Sequence, residues 1–294
     1  MSSRRNVKKN KWLFGGLLAL VIFVYASGCA YMWVYQKYYI FMPQQALSQT
    51  PADQNLKFED IYLPIVSDNG DGVERIHCWW IPTDQPTGRH LIYLHGGAYN
   101  IGANISHARR FKDMGFSVLL VSYRGYGRSE GNFPTERQVY MDADTAWNYL
   151  VKKRGLPPDQ IYIYGHSLGG AVAINLAVAH PEAAALIVEA TFTSIGDMGR
   201  RNRWYRLLPI ELITHQRFDS IDKIDRLDMP VLILHGTEDQ VVPCEMGRQL
   251  YEKAPYPKKL KLILGGGHSN SARVGGEEYL STVKKFIDEV QKGT

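Results

Sequence analysis

Apolar residues are distributed along this chain in three ways. From Leu13 to Val34 they form one block without a charge, roughly 33 Å of helix and enough to cross a bilayer. Further on they come in short runs bounded by glycine and polar residues: Ile61–Val66, Ile76–Ile81, His90–Leu94, Ser117–Ser122, Ile161–Tyr164, Ala185–Ala190, Pro230–Gly236 and Leu260–Leu264. These runs have strand length and β-branched character. Between them the spacing turns helical, near Ser106–Met114 and over Glu136–Lys153, where Val139, Ala143, Ala146, Trp147 and Leu150 share a face. The alternation predicts an α/β domain over residues 61–294, entered through an antiparallel hairpin. The hairpin turn, Ser67–Gly72, is acidic but lacks the remaining ligands and closing glutamate of a calcium loop, so a plain turn is expected. Residues 35–60, with Pro43 and Pro51, read as a linker, and no segment repeats.

One run carries chemistry. Ile161–Tyr164 leads into Gly165-His166-Ser167-Leu168-Gly169 and then a small-residue helical stretch, Ala171–Ala179. Strand, sharp turn and helix are the context that a G-x-S-x-G nucleophile elbow requires. Ser167 is pushed outward on a strained turn, and Gly165, Gly169 and Gly170 leave room where the helix crosses the sheet. A serine hydroxyl needs a base to attack at neutral pH. In this arrangement the partners follow in the order acid, then histidine. Thr237-Glu238-Asp239-Gln240-Val241-Val242-Pro243 follows one strand and Gly265-Gly266-Gly267-His268 follows the last. Loops after parallel strands gather on one sheet edge. Ser167 is therefore expected to meet His268 as base and Asp239 as the acid orienting it, with Glu238 the competing acid. A tetrahedral intermediate needs two N–H donors. Leu168 supplies one and the loop His95-Gly96-Gly97-Ala98-Tyr99-Asn100 the other, from Gly97 or, next to it, Ala98. His95 and His166 read as structural, and Arg124 as a support paired with Asp142 or Asp144.

These pieces, with Ser122-Tyr123-Arg124-Gly125-Tyr126-Gly127-Arg128-Ser129-Glu130-Gly131 and His235-Gly236-Thr237-Glu238-Asp239, make the chain resemble the α/β-hydrolase superfamily. Within it, the chain is similar to the membrane-anchored α/β-hydrolase-domain proteins. The resemblance runs from about Tyr38 to the C-terminus. It implies a mostly parallel eight-stranded sheet flanked by helices, and a helical cap formed by the insert at about 191–228. Relatives usually carry His-Gly-Asn-Ala-Gly-Asn at the oxyanion loop, where this chain has Gly97 and the bulky Tyr99 in place of the first Asn and the second Gly.

Charge alters the picture mainly at the N-terminus. The formal net charge is +5, and Arg4, Arg5, Lys8, Lys9 and Lys11 precede the apolar block, whereas only Lys37 lies just after it. By the positive-inside rule, residues 1–12 form a basic cytoplasmic tail, 13–34 a transmembrane anchor, and the hydrolase domain lies outside the cytoplasm. Trp33, Tyr35, Tyr38 and Tyr39 suit the far interface. A cleaved signal peptide and a lipoprotein lipidated at Cys29, after Ala26-Ser27-Gly28, are the alternatives. With the tail's charges removed the domain is near neutral, so no nucleic-acid partner is expected. Cys29, Cys78 and Cys244 have no metal-ligand spacing, so no metal site or disulfide framework is expected, and the serine mechanism needs no metal or organic cofactor. In the cap insert, Trp204, Leu207, Leu208 and Leu212 fall at helical spacing with arginines opposite, interrupted by Pro209. This stretch reads as an apolar side on the domain and a solvated basic face, or as a contact with anionic lipid. The composite expectation is a serine hydrolase of carboxylic esters or thioesters, lipid-like acyl substrates included. A peptidase or amidase on the same residues, or a non-catalytic anchored binding protein, are the alternatives. The sequence does not indicate an oligomeric state.

Overall fold

A computed structural model describes residues 2–67, 70, 72–85, 87–203 and 205–293, with the side chains of the first helix described from Trp12 onward. Eight strands form the main sheet: β1 (Glu59–Val66), β2 (Val73–Ile81), β3 (Arg89–Leu94), β4 (Phe116–Val121), β5 (Ile161–His166), β6 (Ala185–Glu189), β7 (Val231–Gly236) and β8 (Lys258–Ile263). Their order across the sheet is β8-β7-β6-β5-β3-β4-β2-β1. Neighbours from β8 to β4 run parallel, while β2 is antiparallel to both β4 and β1. The parallel strands are buried on both faces, which is why they read as continuous apolar runs rather than alternating ones. Ile92, Leu119, Ile163, Val188 and Ile233 point to one side, and Leu91, Val118, Tyr162, Ile187 and Leu232 to the other.

On the first side pack α3 (Glu136–Asn148) and α4 (Leu168–Ala179). Thr135 and Gln138 start α3 with a capping box, and its five expected apolar residues through Leu150 are buried. The other side takes α2 (Ile105–Asp113) and α7 (Ser271–Gly293). That last helix and α6 (Cys244–Lys253) go beyond the sequence reading. The signal for α7 lies in Val283, Phe286, Ile287 and Val290, all buried at helical spacing. Arg124 is fully buried. Its Nε donates to Asp142 Oδ1 at 2.8 Å, its backbone N–H to Oδ2 at 2.8 Å, and Asp144 instead takes His180. This pair holds the turn after β4 against α3.

The first helix, α1 (Ser2–Tyr35), is unbroken, and its stretch Trp12–Tyr35 is long and apolar enough to cross a membrane. Residues expected as a plain linker are in fact stitched to the domain. Phe41 is buried, and Met42–Pro43 forms a short parallel ladder with Ala98–Tyr99. The Asn100 amide donates to the carbonyls of Gln44 and Ala46 at 2.9 and 2.8 Å.

The cap is not one amphipathic helix. It comprises α5 (Ile195–Arg201) followed by single turns at Tyr205–Leu207 and Ile210–Ile213, broken at Pro209. Its arginines stay exposed, as a solvated basic face requires, but are tied along the surface: Arg200 pairs with Asp197 and Glu211, Arg201 donates to the Val241 carbonyl, and Arg206 donates to the Arg200 carbonyl. Trp204 of the cap and Asp68, Asn69 and Asp71 of the hairpin turn lie outside the described residues.

Candidate active site

Strand β5 ends at His166 and α4 begins at Leu168, leaving Ser167 to make the whole turn. It does so at φ +55°, ψ −121°, a conformation an L-residue adopts only under constraint. The constraint comes from both sides. The Ser167 N–H donates to the Glu189 carbonyl at 2.9 Å, and the Thr191 hydroxyl donates to the Ser167 carbonyl at 2.8 Å. A Cβ on Gly165 would lie 2.1 Å from the Gly169 carbonyl oxygen, and one on Gly169 would lie 2.1 Å from the Leu94 carbonyl oxygen. The glycines are thus required because helix and strand backbones touch here. Gly169→Ala is expected to lower stability by about 3 kcal/mol, the cost of forcing atoms into a closed backbone crossing. A urea midpoint close to that of the parent would refute this.

The hydroxyl emerges at the C-terminal edge of the sheet, where two loops meet it. Ser167 Oγ–H donates to His268 Nε2 at 2.9 Å, and His268 Nδ1–H donates to Asp239 Oδ2 at 2.8 Å. Asp239 follows β7 and His268 follows β8. The acid turn is itself tied down: Asp239 Oδ1 accepts from the N–H groups of Val241 and Val242, each at 2.8 Å. Burial pushes the Asp239 carboxyl up, but hydrogen bonds from His235 and His268 outweigh it and hold the group well below the usual carboxylate range. It is therefore ionised wherever His268 needs a counter-charge. Glu238, the competing acid, is exposed, and its hydrogen bonds are made by its backbone: the N–H donates to the Gly266 carbonyl and the carbonyl accepts from Gln240 Nε2.

Two supports were not legible as such. His166 Nε2–H donates to the His268 carbonyl at 2.8 Å, with the rings 5.1 Å apart, so the residue before Ser167 fixes the His268 backbone. Burial lowers the His166 pKa and so favours the neutral ring. His235 Nε2–H donates to the Val242 carbonyl at 3.0 Å and lies 3.4 Å from Asp239 Oδ2. His95 is buried against Tyr123 and Tyr126, with burial bringing its pKa to about 4, which suits the structural role read for it.

Gly97 and Leu168 sit side by side. A Cβ on Gly97 would come 3.3 Å from Leu168 Cδ2 and 2.6 Å from the Ile40 carbonyl oxygen. Among the described residues, neither backbone N–H has a hydrogen-bond partner. The Gly97 carbonyl, by contrast, is clamped by the Met42 N–H at 2.7 Å and the Tyr126 hydroxyl at 2.6 Å, which fixes the Gly97–Ala98 peptide, the one that carries the N–H of the alternative donor Ala98. The alternative donor, Ala98, lines the same cavity, as does Tyr99.

That cavity, about 630 Å³, opens over Ser167 and His268. Its far walls come from Met198, Ile210 and Ile213 of the cap and, unexpectedly, from Met32 of α1 and Gln36 just after it. No Asp, Glu, Lys or Arg is among its described lining residues. Gln36 carries no sequence signal of such a role, because its importance depends on where the cap folds.

A parallel sheet with an elbow serine, a cap and these edge loops defines the α/β-hydrolase fold. Residues 85–218 match the family described as serine aminopeptidase, S33. The chain is 30% identical to alpha/beta hydrolase domain-containing protein WAV2 of Arabidopsis thaliana, over 94% of each chain. It is 32% identical to alpha/beta hydrolase domain-containing protein 17B of Homo sapiens, over 73% of this chain and 72% of that one. The esterase Pf2001 of Pyrococcus furiosus superposes with a TM-score of 0.69 at 20% identity, over 85% of this chain and 98% of that one. The chain belongs to the alpha/beta hydrolase domain-containing family.

Proposed function

We propose that this protein is a serine hydrolase of carboxylic esters or thioesters, with Ser167 as nucleophile, His268 as base and Asp239 as the orienting acid. The observation that carries the reading is the continuous hydrogen-bonded line Ser167–His268–Asp239, at 2.9 and 2.8 Å. Ser167 Oγ attacks the acyl carbonyl carbon while its proton passes to His268 Nε2. The oxyanion that forms is held by the N–H groups of Leu168 and Gly97. His268 then gives the proton to the leaving oxygen or sulfur, and the acyl group stays on Ser167. Water, losing a proton to His268, releases the acid and restores the serine.

An apolar cavity without carboxylates favours an acyl chain over a peptide with a free amine, which would need a buried anion to receive it. The peptidase reading keeps one support, the description of the matched family. We place the catalytic domain on the non-cytoplasmic side, with α1 as an uncleaved anchor, on the strength of the basic residues before the apolar stretch. The test of the reaction is a series of p-nitrophenyl esters of rising chain length set against peptide anilides, with fluorophosphonate labelling of Ser167. Ester turnover with labelling is the expected result. Anilide turnover alone would favour the peptidase, and no labelling would leave a binding protein.

A further inference from the structure

We infer that the cavity draws the acyl chain of a lipid ester sideways out of the bilayer, with α1 forming one wall of the binding site. The inference rests on the serine-hydrolase reading above and adds where the substrate comes from and what selects it. Its first support is the wall itself, since Met32 and Gln36 face the same space as Ser167 and His268. Gln36 is buried and holds the cap in place. Its Nε2 donates to the Ile213 carbonyl at 3.0 Å, and its Oε1 accepts from the N–H groups of His215 and Gln216 at 3.0 and 2.9 Å.

The second support is depth. The Tyr25 hydroxyl donates to the Leu207 carbonyl at 2.9 Å. Tyr25 lies roughly 15 Å along the helix axis from Tyr35, about half the thickness of a hydrocarbon core. Where Trp12–Tyr35 spans a membrane, the cap segment 205–213 therefore runs beside it within one leaflet. The third support is the uncovered surface. Leu207 is 66% and Leu212 82% exposed on that segment, and Tyr39, Met42, Tyr99 and Val241 are exposed at the cavity mouth. In water such a rim is unfavourable, whereas in lipid it matches its surroundings. The energetics point the same way. A long acyl chain drawn through water is disfavoured by about 0.8 kcal/mol per methylene, but passing from lipid into an apolar cavity avoids that step.

The test uses the full chain in phosphatidylcholine vesicles, with 4-methylumbelliferyl palmitate in the bilayer and 4-methylumbelliferyl butyrate in the water. Met32→Trp, which fills the helix-side wall, should lower the palmitate-to-butyrate rate ratio about tenfold, as changes in pocket fit of a methylene or more do. Leu207→Glu with Leu212→Glu, which makes the cap face polar, should lower it similarly. Fluorophosphonate labelling of Ser167 accompanies every variant. A labelled chain whose ratio moves in neither variant overturns lateral entry and leaves the hydrolase reading standing. A parent chain that takes no label overturns that reading itself. Should the double variant lose its fold, Leu212→Ser decides alone, and an unchanged ratio there overturns the inference.

Discussion

Ser167→Ala will lower ester turnover by about 10⁴-fold or more and abolish fluorophosphonate labelling, while thermal stability stays within about 2 °C of the parent. On the proposed mechanism the rate falls because the hydroxyl supplies the attacking atom. Among the described groups, no cysteine, lysine or second serine hydroxyl is hydrogen-bonded to His268. Stability stays because the substitution removes one oxygen at the edge of a solvent-accessible cavity and leaves the backbone bonds to Glu189 and Thr191 intact. The strained turn is held by those bonds and by the glycine crossings, not by the hydroxyl. Steady-state hydrolysis of a short p-nitrophenyl ester and a melting curve check both halves. Turnover surviving in the alanine variant would remove the basis for the proposed mechanism.

Asp239→Asn is expected to cost about 10⁴-fold in kcat with little change in KM, because an amide in place of the carboxylate favours the wrong imidazole tautomer and cannot balance its charge. Its oxygen can still accept from Val241 and Val242, so the turn should persist. Glu238→Gln is the internal control. That side chain is exposed, and turnover should remain within about twofold of the parent. Equal losses in the two variants would mean that the acid has been misassigned. The same carboxylate links stability to pH. Its folded pKa is depressed, so its contribution is complete above the ordinary carboxylate value of about 3.9 and is lost as pH falls below it. Acid unfolding of the asparagine variant should lack that component.

Much of this arrangement was legible because its physics is local. The β-branched runs announced a sheet buried on both faces, and the glycines around Ser167 announced a backbone crossing too close for side chains. Asp239 and His268 could be named because strand ends in a parallel sheet share an edge. The cap resisted the same reasoning. Leu207, Leu208 and Leu212 suggest one amphipathic helix, but Pro209 and the ion pairs of Arg200 divide it into short turns. Residues 35–60 looked like a tether because Pro43 and Pro51 mask a ladder whose partner, Ala98–Tyr99, is far away in sequence. The contribution of Met32 and Gln36 to the cavity was invisible for the same reason: a residue in an apolar helix is given its second role only by what folds back against it.

The short ladder between Met42–Pro43 and Ala98–Tyr99 joins two parts usually treated as separate machinery. The Met42 N–H grips the carbonyl of Gly97, and Met42 follows α1 by only a few residues. On the proposed reading, the loop that would steady a developing negative charge is thereby coupled mechanically to the helix that would meet the lipid. Tilt that helix, as a thinner or thicker bilayer does, and the strain is delivered within one hydrogen bond of the reacting carbonyl.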